Sequence, residues 1–272
     1  MNSSDFRAKA REILNGKWGK AALITLVYMI INFCISFVRE YTSNSIGLII
    51  SIAYYIISVP LTFGLTMSFV NLSKDKEVGY LDYFSSGFSN FTKSWGITIR
   101  MFLKLLVPFI ALIVSIMLFI GGTSALYTSD LLNRAKAASL GTVASASTSG
   151  AHAGIMVICS ILIIVSYIWI FLKSYYFQLS FIIAADDETI SSKDAVEKSR
   201  ELMTGNRWKL FCLQLSFIGW ILLAGLTFGI GVFWVIPYMQ VAIIAFYFYL
   251  KGNNLTTTNP EVIDETTNQE NQ

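Results

Sequence analysis

The stretch REILNGKWGKAALITLVYMIINFCISFV (Arg11–Val38) changes from polar to apolar within a few residues. Its apolar part, residues 18–38, contains a single charged side chain, Lys20. At 1.5 Å per residue, a helix of this length crosses a hydrocarbon core of about 30 Å. Because the residues before it are polar and the run is too long for the apolar part of a signal peptide, we expect an uncleaved transmembrane anchor.

Five further apolar runs follow along the chain. The composition, 54% hydrophobic and 14% charged with a mean hydropathy of +0.60, differs from that of a soluble domain, which carries about 25% charged residues. The sequence therefore predicts an all-α polytopic membrane protein with one membrane domain over residues 1–251. We expect its six transmembrane helices approximately at residues 18–38, 46–70, 97–122, 155–172, 210–228 and 232–250, with a tight turn at Gly229-Ile230-Gly231 between the last two.

The basic residues are distributed unevenly between the two sides that six spans define. All but three of the 20 lysines and arginines lie in the N-terminal arm, in residues 74–104, in residues 173–209 or at Lys251. The three exceptions are Arg39, Arg134 and Lys136. Since lysine and arginine concentrate on the cytoplasmic side of membrane proteins, we expect both termini to be cytoplasmic.

The quoted stretch has a second copy further along the chain. RELMTGNRWK (Arg200–Lys209) repeats the pattern of REILNGKWGK (Arg11–Lys20), and each precedes a long apolar run. Before each copy, apolar or small residues recur at i, i+4, i+7 and i+8. This spacing predicts two short amphipathic helices, approximately at residues 4–15 and 192–204, lying at the cytoplasmic interface.

A glycine and a tryptophan complete each copy. Gly16 and Gly205 stand where a residue in the left-handed conformation ends a helix. Trp18 and Trp208, with cations beside them, suit the headgroup layer. Each copy therefore predicts an interfacial helix, a glycine corner and a membrane anchor.

The third outward run is preceded by Lys93-Ser94-Trp95-Gly96, which keeps the tryptophan and the basic residue but lacks the helix. Three helical hairpins with similar beginnings would form a parallel internal repeat. The same residue types also collect at any cytoplasmic interface. The pattern is therefore explained either by gene duplication or by the preference of these residue types for the membrane interface.

Particular residues also carry a resemblance. DAVEKSRELMTGNRWKLF (Asp194–Phe211), Gly16-Lys17-Trp18-Gly19, YLDYFSSGF (Tyr80–Phe88) and Pro237-Tyr238 resemble the bacterial integral membrane family catalogued as domain of unknown function 975. The resemblance covers nearly the whole chain except residues 123–152 and the tail after Lys251. It implies a single plasma membrane, as in the Gram-positive bacteria where the family is mostly found, and it implies no reaction. The chain departs from the family pattern at Phe248, where the family tends to have an acid, and ahead of Lys173, where a Pro-Gly break is missing.

Lys173 interrupts an apolar stretch at residues 155–185. A lysine deep in the hydrocarbon costs about 2.5–3.5 kcal/mol on insertion scales and would mark a functional site. If the fourth span ends near Leu172, the amine instead reaches the headgroups, and residues 174–185 form an interfacial or re-entrant segment. We favour this second arrangement, because lysines near helix ends adopt it at little cost.

Other charged and aromatic residues are candidate contacts. Arg100 and Lys104 are spaced i, i+4 and therefore share a helical face. They are expected either to bind an anionic headgroup or to act as ordinary cytoplasmic anchors. The full set of candidate lipid or partner contacts is Lys173, Arg100, Lys104, Arg200, Arg207, Trp208, Lys17 and Trp18. The candidate structural corners are Gly16, Gly205 and Pro237.

Catalytic and metal-binding patterns are missing from the sequence. Asp186-Asp187-Glu188 lacks the spacing of an EF-hand, and we interpret the three acids as favourable charges near a helix start. No G-x-S-x-G, H-E-x-x-H or P-loop pattern occurs. We therefore expect no enzymatic activity, no metal and no cofactor. Because the basic residues lie at span ends, we also expect no nucleic-acid partner.

Two segments are expected to lie outside the spans. Residues 123–152, rich in Ser, Ala and Gly towards their end, predict a flexible external loop, with an extension of the third helix over residues 124–138 as the alternative. Residues 252–272 contain acids but no lysine or arginine, and predict a disordered acidic cytoplasmic tail.

These features favour a non-enzymatic protein of the bacterial plasma membrane. We expect it to bind membrane lipids, or a membrane or cytoplasmic protein, through its interfacial helices in envelope maintenance. The alternative is a transporter or flippase for a small molecule or lipid, favoured by the repeats, by Lys173 and by prolines within the spans, Pro60, Pro108 and Pro237. The scarcity of carboxylates within the spans counts against ion-coupled transport.

Overall fold

The computed structural model describes residues 1–42, 44–140 and 149–258, and every regular element within these ranges is helical. The chain divides into two compact units. The first comprises residues 1–100 and the chain from Tyr176 onward, and the second comprises Met101–Tyr175. The helices are α1 (Ser3–Leu14), α2 (Trp18–Glu40), α3 (Asn44–Ser73), α4 (Asp82–Ser89), α5 (Phe91–Ser139), α6 (Ser149–Ser174), α7 (Ser180–Asp186), α8 (Ser192–Met203), α9 (Arg207–Leu215), α10 (Ile218–Leu226) and α11 (Val232–Thr258).

Within the described residues, six helical segments are long and apolar enough to cross a membrane, as expected of a multi-pass membrane protein. Each overlaps one of the six predicted spans, but the third and fourth, Phe91–Ser139 and Met156–Asp186, are longer than predicted. The fifth span was predicted as one continuous helix. In the structure it is interrupted, because α9 ends at Leu215 and α10 begins at Ile218. Ser216 turns its hydroxyl back to the carbonyl of Leu213 (2.6 Å), and such local side-chain bonds compete with the helical ladder.

Of the two alternatives for residues 123–152, the structure has the extension of the third helix, and not a flexible loop, as far as Ser139. Helix α5 continues to Ser139 and α6 begins at Ser149, while residues 141–148 lie outside the described residues. The stretch from residue 123 to 139 has no glycine or proline, and Asp130 forms an i, i+4 ion pair with Arg134 (2.9 Å). Both features favour helix.

Residues 252–258, the first part of the predicted disordered tail, are helical. Helix α11 extends to Thr258, and the remainder of the predicted tail, residues 259–272, lies outside the described residues. Pro237 was expected at a corner, but it lies inside α11, which continues through it without a break. Proline removes only one helical hydrogen bond, and membrane helices tolerate this loss.

Helix α11 is the centre of the first unit. Its apolar window is 56% buried, against at most 22% in the other five spans. Helices α1, α2 and α3 all pack against it. Phe6 of α1 contacts Phe246 and Tyr249 edge to face, with ring centroids 5.3 and 5.4 Å apart. The N-terminal helix is therefore fixed to the last span by aromatic packing.

Pro60 lies inside α3, and a side chain from another helix compensates for its missing N–H. Proline leaves the carbonyl four residues earlier, that of Ile56, without its helical donor. The indole Nε1 of Trp95, in the first turns of α5, donates to that carbonyl at 3.0 Å. This bond ties the start of the third span to the middle of the second.

Candidate functional site

The two copies of the repeated phrase form matching helix–glycine–helix corners. Helix α1 ends before Gly16, whose φ is +73°, and α8 ends before Gly205, whose φ is +81°. A Cβ at either glycine would meet nothing within 4 Å, so the requirement for glycine comes from the backbone angle alone. At the start of α8, the Ser191 side chain accepts from the Asp194 amide (3.2 Å) as an N-cap.

The apolar face of each short helix is covered by the protein itself. In α1, Phe6, Ala10 and Leu14 are buried, and α1 packs on α11. In α8, the buried residues include Ala195, Ser199 and Met203, and α8 packs on α7. These faces therefore cannot insert into a bilayer, and only the outer, polar faces of both helices are available to lipids or partners.

A groove lined by aromatic side chains opens beside the first corner. We call it the aromatic groove and define it by Arg11 of α1, Trp18 of α2, Trp220 of α10, and Trp234, Val235 and Tyr238 of α11. Its volume is about 330 Å³. Tyr238 forms its floor, with ring centroids 5.7 Å from Trp18 and 6.1 Å from Trp220.

Two arginines of α1 face this region. Arg7 Nη1 lies 3.5 Å from the carbonyl of Ser216, at the break between α9 and α10, and its buried Nε has no partner among the described residues. The backbone carbonyl of Arg7 accepts from the Tyr238 hydroxyl (3.2 Å). Arg11, one turn further along, is exposed and lines the aromatic groove. The groove thus combines an apolar wall with one accessible guanidinium.

The other candidate contacts of the two corners do not converge on one place. Lys17 donates to the carbonyl of Leu72 (3.1 Å) and pairs with Asp75, so it holds α2 to the end of α3. The guanidinium of Arg207 stacks over the ring of Tyr176 at 4.2 Å. Arg200 and Trp208 are exposed, Trp208 to 71%. Of the predicted contacts at the corners, only Trp18 lines the aromatic groove.

The candidate cations of the fourth and third spans lie on α6 and α5. Lys173 lies in the last turn of α6, with its Nζ 5.2 Å from the centroid of the Trp169 ring. The helix ends at Ser174, and a short 3-10 helix, Tyr175–Phe177, follows it. Lys173 therefore stands at a helix end. Arg100 is exposed and donates to the carbonyl of Gly96 (3.0 Å), and Lys104 lies one turn later on α5.

The interpretation of Asp186 as a charge near a helix start is wrong, because it is the last residue of α7. Its carboxylate, only 3% exposed, pairs with Lys74 (2.7 Å) and Lys251 (2.5 Å) and accepts from the Tyr247 hydroxyl (2.7 Å). An acid is unfavourable at a helix C-terminus, and the two lysines offset this. The network ties α7 to the ends of α3 and α11.

The neighbouring acid Asp187 has a local role. Its carboxylate accepts hydrogen bonds from the side chain and the backbone of Thr189 at 2.6 and 2.9 Å, and these bonds hold the pKa of Asp187 below its usual value. Lys93 caps the end of α7 by donating to the carbonyls of Ala184, Asp187 and Glu188. Within the described residues, no three His, Cys, Asp or Glu side chains are grouped to hold a metal ion.

Sequence reasoning missed the members of the groove that lie far from the first corner. Trp220 and Trp234 stand on opposite sides of the turn between α10 and α11, more than 200 residues from Arg11. Their only sequence signal is the general preference of tryptophan for the membrane interface. The pairing of Arg7 with the carbonyl of Ser216 has no sequence signal.

Comparison with known proteins identifies a family. A family model described as "Protein of unknown function (DUF975)" matches residues 1–254. No curated protein and no solved structure is similar enough to the chain to count as a match.

Proposed function

The chain belongs to the DUF975 family, and we propose that it is a non-enzymatic protein of the bacterial plasma membrane that binds anionic phospholipid in the aromatic groove and serves envelope maintenance. The six apolar helices support the membrane location. The distribution of lysine and arginine supports cytoplasmic termini. With that orientation, α1 and the aromatic groove lie at the inner leaflet.

The observation that carries the proposal is the single exposed guanidinium beside an aromatic wall. A lipid phosphate is a strong acceptor for arginine, and its acyl chains match the faces of Trp18, Trp220 and Trp234. Tryptophan and arginine at the headgroup level are the residues that interfacial lipid binding uses. A soluble anion would leave the apolar wall unused, so a ligand with both a phosphate and hydrocarbon fits best.

The test compares two arginines that occupy the same position in the two copies. Arg11 directly follows the buried Ala10, and Arg200 directly follows the buried Ser199. Both arginines are exposed, but only Arg11 lines the aromatic groove. We expect Arg11→Gln to reduce retention of phosphatidylglycerol about tenfold, as for loss of a charge-assisted hydrogen bond of ~1.5 kcal/mol. Arg200→Gln should retain phosphatidylglycerol as well as the wild type does.

The measurement is native mass spectrometry of protein released from nanodiscs of phosphatidylglycerol and phosphatidylcholine. Equal retention by wild type and Arg11→Gln, or equal loss in both variants, would contradict a specific site. A cytoplasmic protein that co-purifies in stoichiometric amount and is lost in Arg200→Gln would instead favour a protein partner on the polar face of α8.

Transport or lipid flipping is the second candidate function, and the broken fifth span favours it. Discontinuous membrane helices form the substrate sites of many transporters. Here the break at Ser216–Phe217 lies next to Arg7, whose Nε is unpaired among the described residues. The test reconstitutes the protein in liposomes that contain fluorescent phosphatidylglycerol and adds dithionite, which bleaches the exposed label. If the protein only binds lipid, only the label in the outer leaflet is bleached. Complete bleaching that depends on Arg7 would establish flipping.

A further inference from the structure

A second groove, separate from the aromatic groove, lies within the spans of the first unit. It opens between α2, α3 and α11 with a volume of about 490 Å³. Six of its lining residues are polar: Thr25, Tyr28, Asn32, Ser36, Thr62 and Gln240. We call it the polar groove. Polar groups within spanning segments are expensive to keep in hydrocarbon and commonly have a function.

One wall of the polar groove is held by hydrogen bonds between α2 and α3. The hydroxyl of Tyr54 donates to Asn32 Oδ1 (2.5 Å), and Asn32 Nδ2 donates to the carbonyl of Tyr28 (2.7 Å). The hydroxyls of Tyr28 and Thr62 lie 3.2 Å apart, within hydrogen-bonding distance. The side chains of Tyr28, Asn32 and Thr62 on this wall are therefore hydrogen-bonded without a ligand.

The opposite wall is different, because Gln240 of α11 has no hydrogen-bond partner for its side chain among the described residues. Gln240 is half-buried and lies well inside the sixth span, Val232–Gly252. A primary amide offers two donors and an acceptor, and leaving them unpaired in an apolar environment is costly. An acyl chain of the bilayer would cover the groove but would not satisfy this amide.

The charge and shape of the polar groove restrict its occupant. None of the lining side chains carries a charge at neutral pH, so a charged headgroup would be desolvated without a counter-ion. Met29, Phe33 and Leu65 supply an apolar surface beside the polar groups. The complementary molecule is uncharged, with an oxygen-bearing head and a hydrocarbon tail.

We propose that the polar groove binds a neutral amphiphile, whose hydroxyl or carbonyl oxygen hydrogen-bonds to the amide of Gln240 and whose tail lies on Met29, Phe33 and Leu65. Two sources share this chemistry. Diacylglycerols present a hydroxyl and ester carbonyls, whereas quinones present carbonyls alone. The site is independent of the aromatic groove, because the two grooves share no lining residue.

The test uses 1,2-dioctanoylglycerol and decylubiquinone as probes, with dioctanoyl-phosphatidylglycerol as the anionic control. Binding is measured on the purified full-length protein as the ligand-induced rise in Tm, which gives an apparent Kd. Gln240→Met keeps the length of the side chain and removes the amide. We expect this variant to bind the neutral probe about tenfold more weakly, as for loss of one hydrogen bond in an apolar site.

A control separates ligand binding from a structural role. If Gln240 serves a ligand, Gln240→Met without ligand should unfold at the same or a higher temperature than wild type, because an unpaired amide has been removed. Arg11→Gln should leave binding of the neutral probes unchanged, so failure of the phospholipid proposal and failure of this one are distinguishable.

Stabilisation by either neutral probe that is lost in Gln240→Met supports the proposal, and the stronger probe identifies the source. The proposal is overturned if neither neutral probe stabilises the wild type, or if Gln240→Met binds them equally well. It is also overturned if Gln240→Met lowers the Tm without ligand, since the amide then has a structural role.

Discussion

The corner between α1 and α2 and the corner between α8 and α9 have similar ten-residue sequences but different surroundings. The three buried positions of α1 recur in α8 at the same distances from the glycine, and both glycines are left-handed. The tryptophan, however, follows Gly16 by two residues and Gly205 by three. One residue is a rotation of about 100° on a helix. Trp18 accordingly faces Tyr238, whereas Trp208 is 71% exposed.

The helices that leave the two corners differ as well. Helix α2 continues for 23 residues, whereas α9 stops after nine and the span resumes as α10. Arg7, from the first copy, reaches the carbonyl of Ser216 at this break. The repeated phrase therefore specifies a local turn, and the neighbours of each copy decide what the turn is used for.

The largest expected effect would break the packing of the first copy. Phe6 is fully buried against Phe246 and Tyr249, whereas the matching position in α8 is Ala195. We expect Phe6→Ala to lower the free energy of unfolding by ~3–5 kcal/mol, the cost of truncating a buried phenylalanine. Equilibrium unfolding in mixed micelles with increasing SDS measures it. A loss below about 1 kcal/mol would show that α1 is not part of the core.

The third corner, at Trp95, extends the comparison, because its tryptophan makes a specific hydrogen bond. Trp95→Phe should cost ~1–3 kcal/mol, since the carbonyl of Ile56 loses its donor within a span. Pro60→Ala supplies a backbone N–H to the same carbonyl, so Trp95→Phe should cost less in that background. Thermal unfolding of the two single variants and the double variant measures this difference. If the losses of Trp95→Phe and Pro60→Ala simply add in the double variant, Trp95 does not compensate for the proline.

The smallest expected effect sharpens the equivalence of the two glycines. Gly16→Ala and Gly205→Ala should each destabilise by ~1–2 kcal/mol, because a Cβ is strained at these backbone angles and meets no neighbour. Thermal unfolding of the two variants provides the comparison. Clearly unequal losses would show that the two corners differ in more than the position of the tryptophan.

The number and positions of the spans were predictable because they depend on local composition. A run of apolar residues long enough to cross a bilayer is visible without knowledge of its neighbours, and so are the left-handed glycines and the Ser191 cap. The extension of α5 to Ser139 was also readable, from the absence of glycine and proline and from the spacing of Asp130 and Arg134. Its serine-rich surroundings favoured a loop instead.

The partners of individual side chains were not predictable. Asp186 looked like part of an acidic run at a helix start, and the structure surrounds it with Lys74, Lys251 and Tyr247 from distant segments. Arg11 looked like one more cytoplasmic cation, and the structure places it beside Trp220 and Trp234. In both cases the decisive contact joins residues that are far apart in the chain.

The sequence by itself determined that this chain forms six apolar helices with repeated glycine corners, because hydropathy, backbone angle and capping act over a few residues. The tertiary structure alone decided which side chains meet: Trp95 with the carbonyl freed by Pro60, Arg11 with the aromatic groove, and Gln240 with the polar groove. Such meetings depend on how helices pack, and helix packing is set by the fit of whole surfaces.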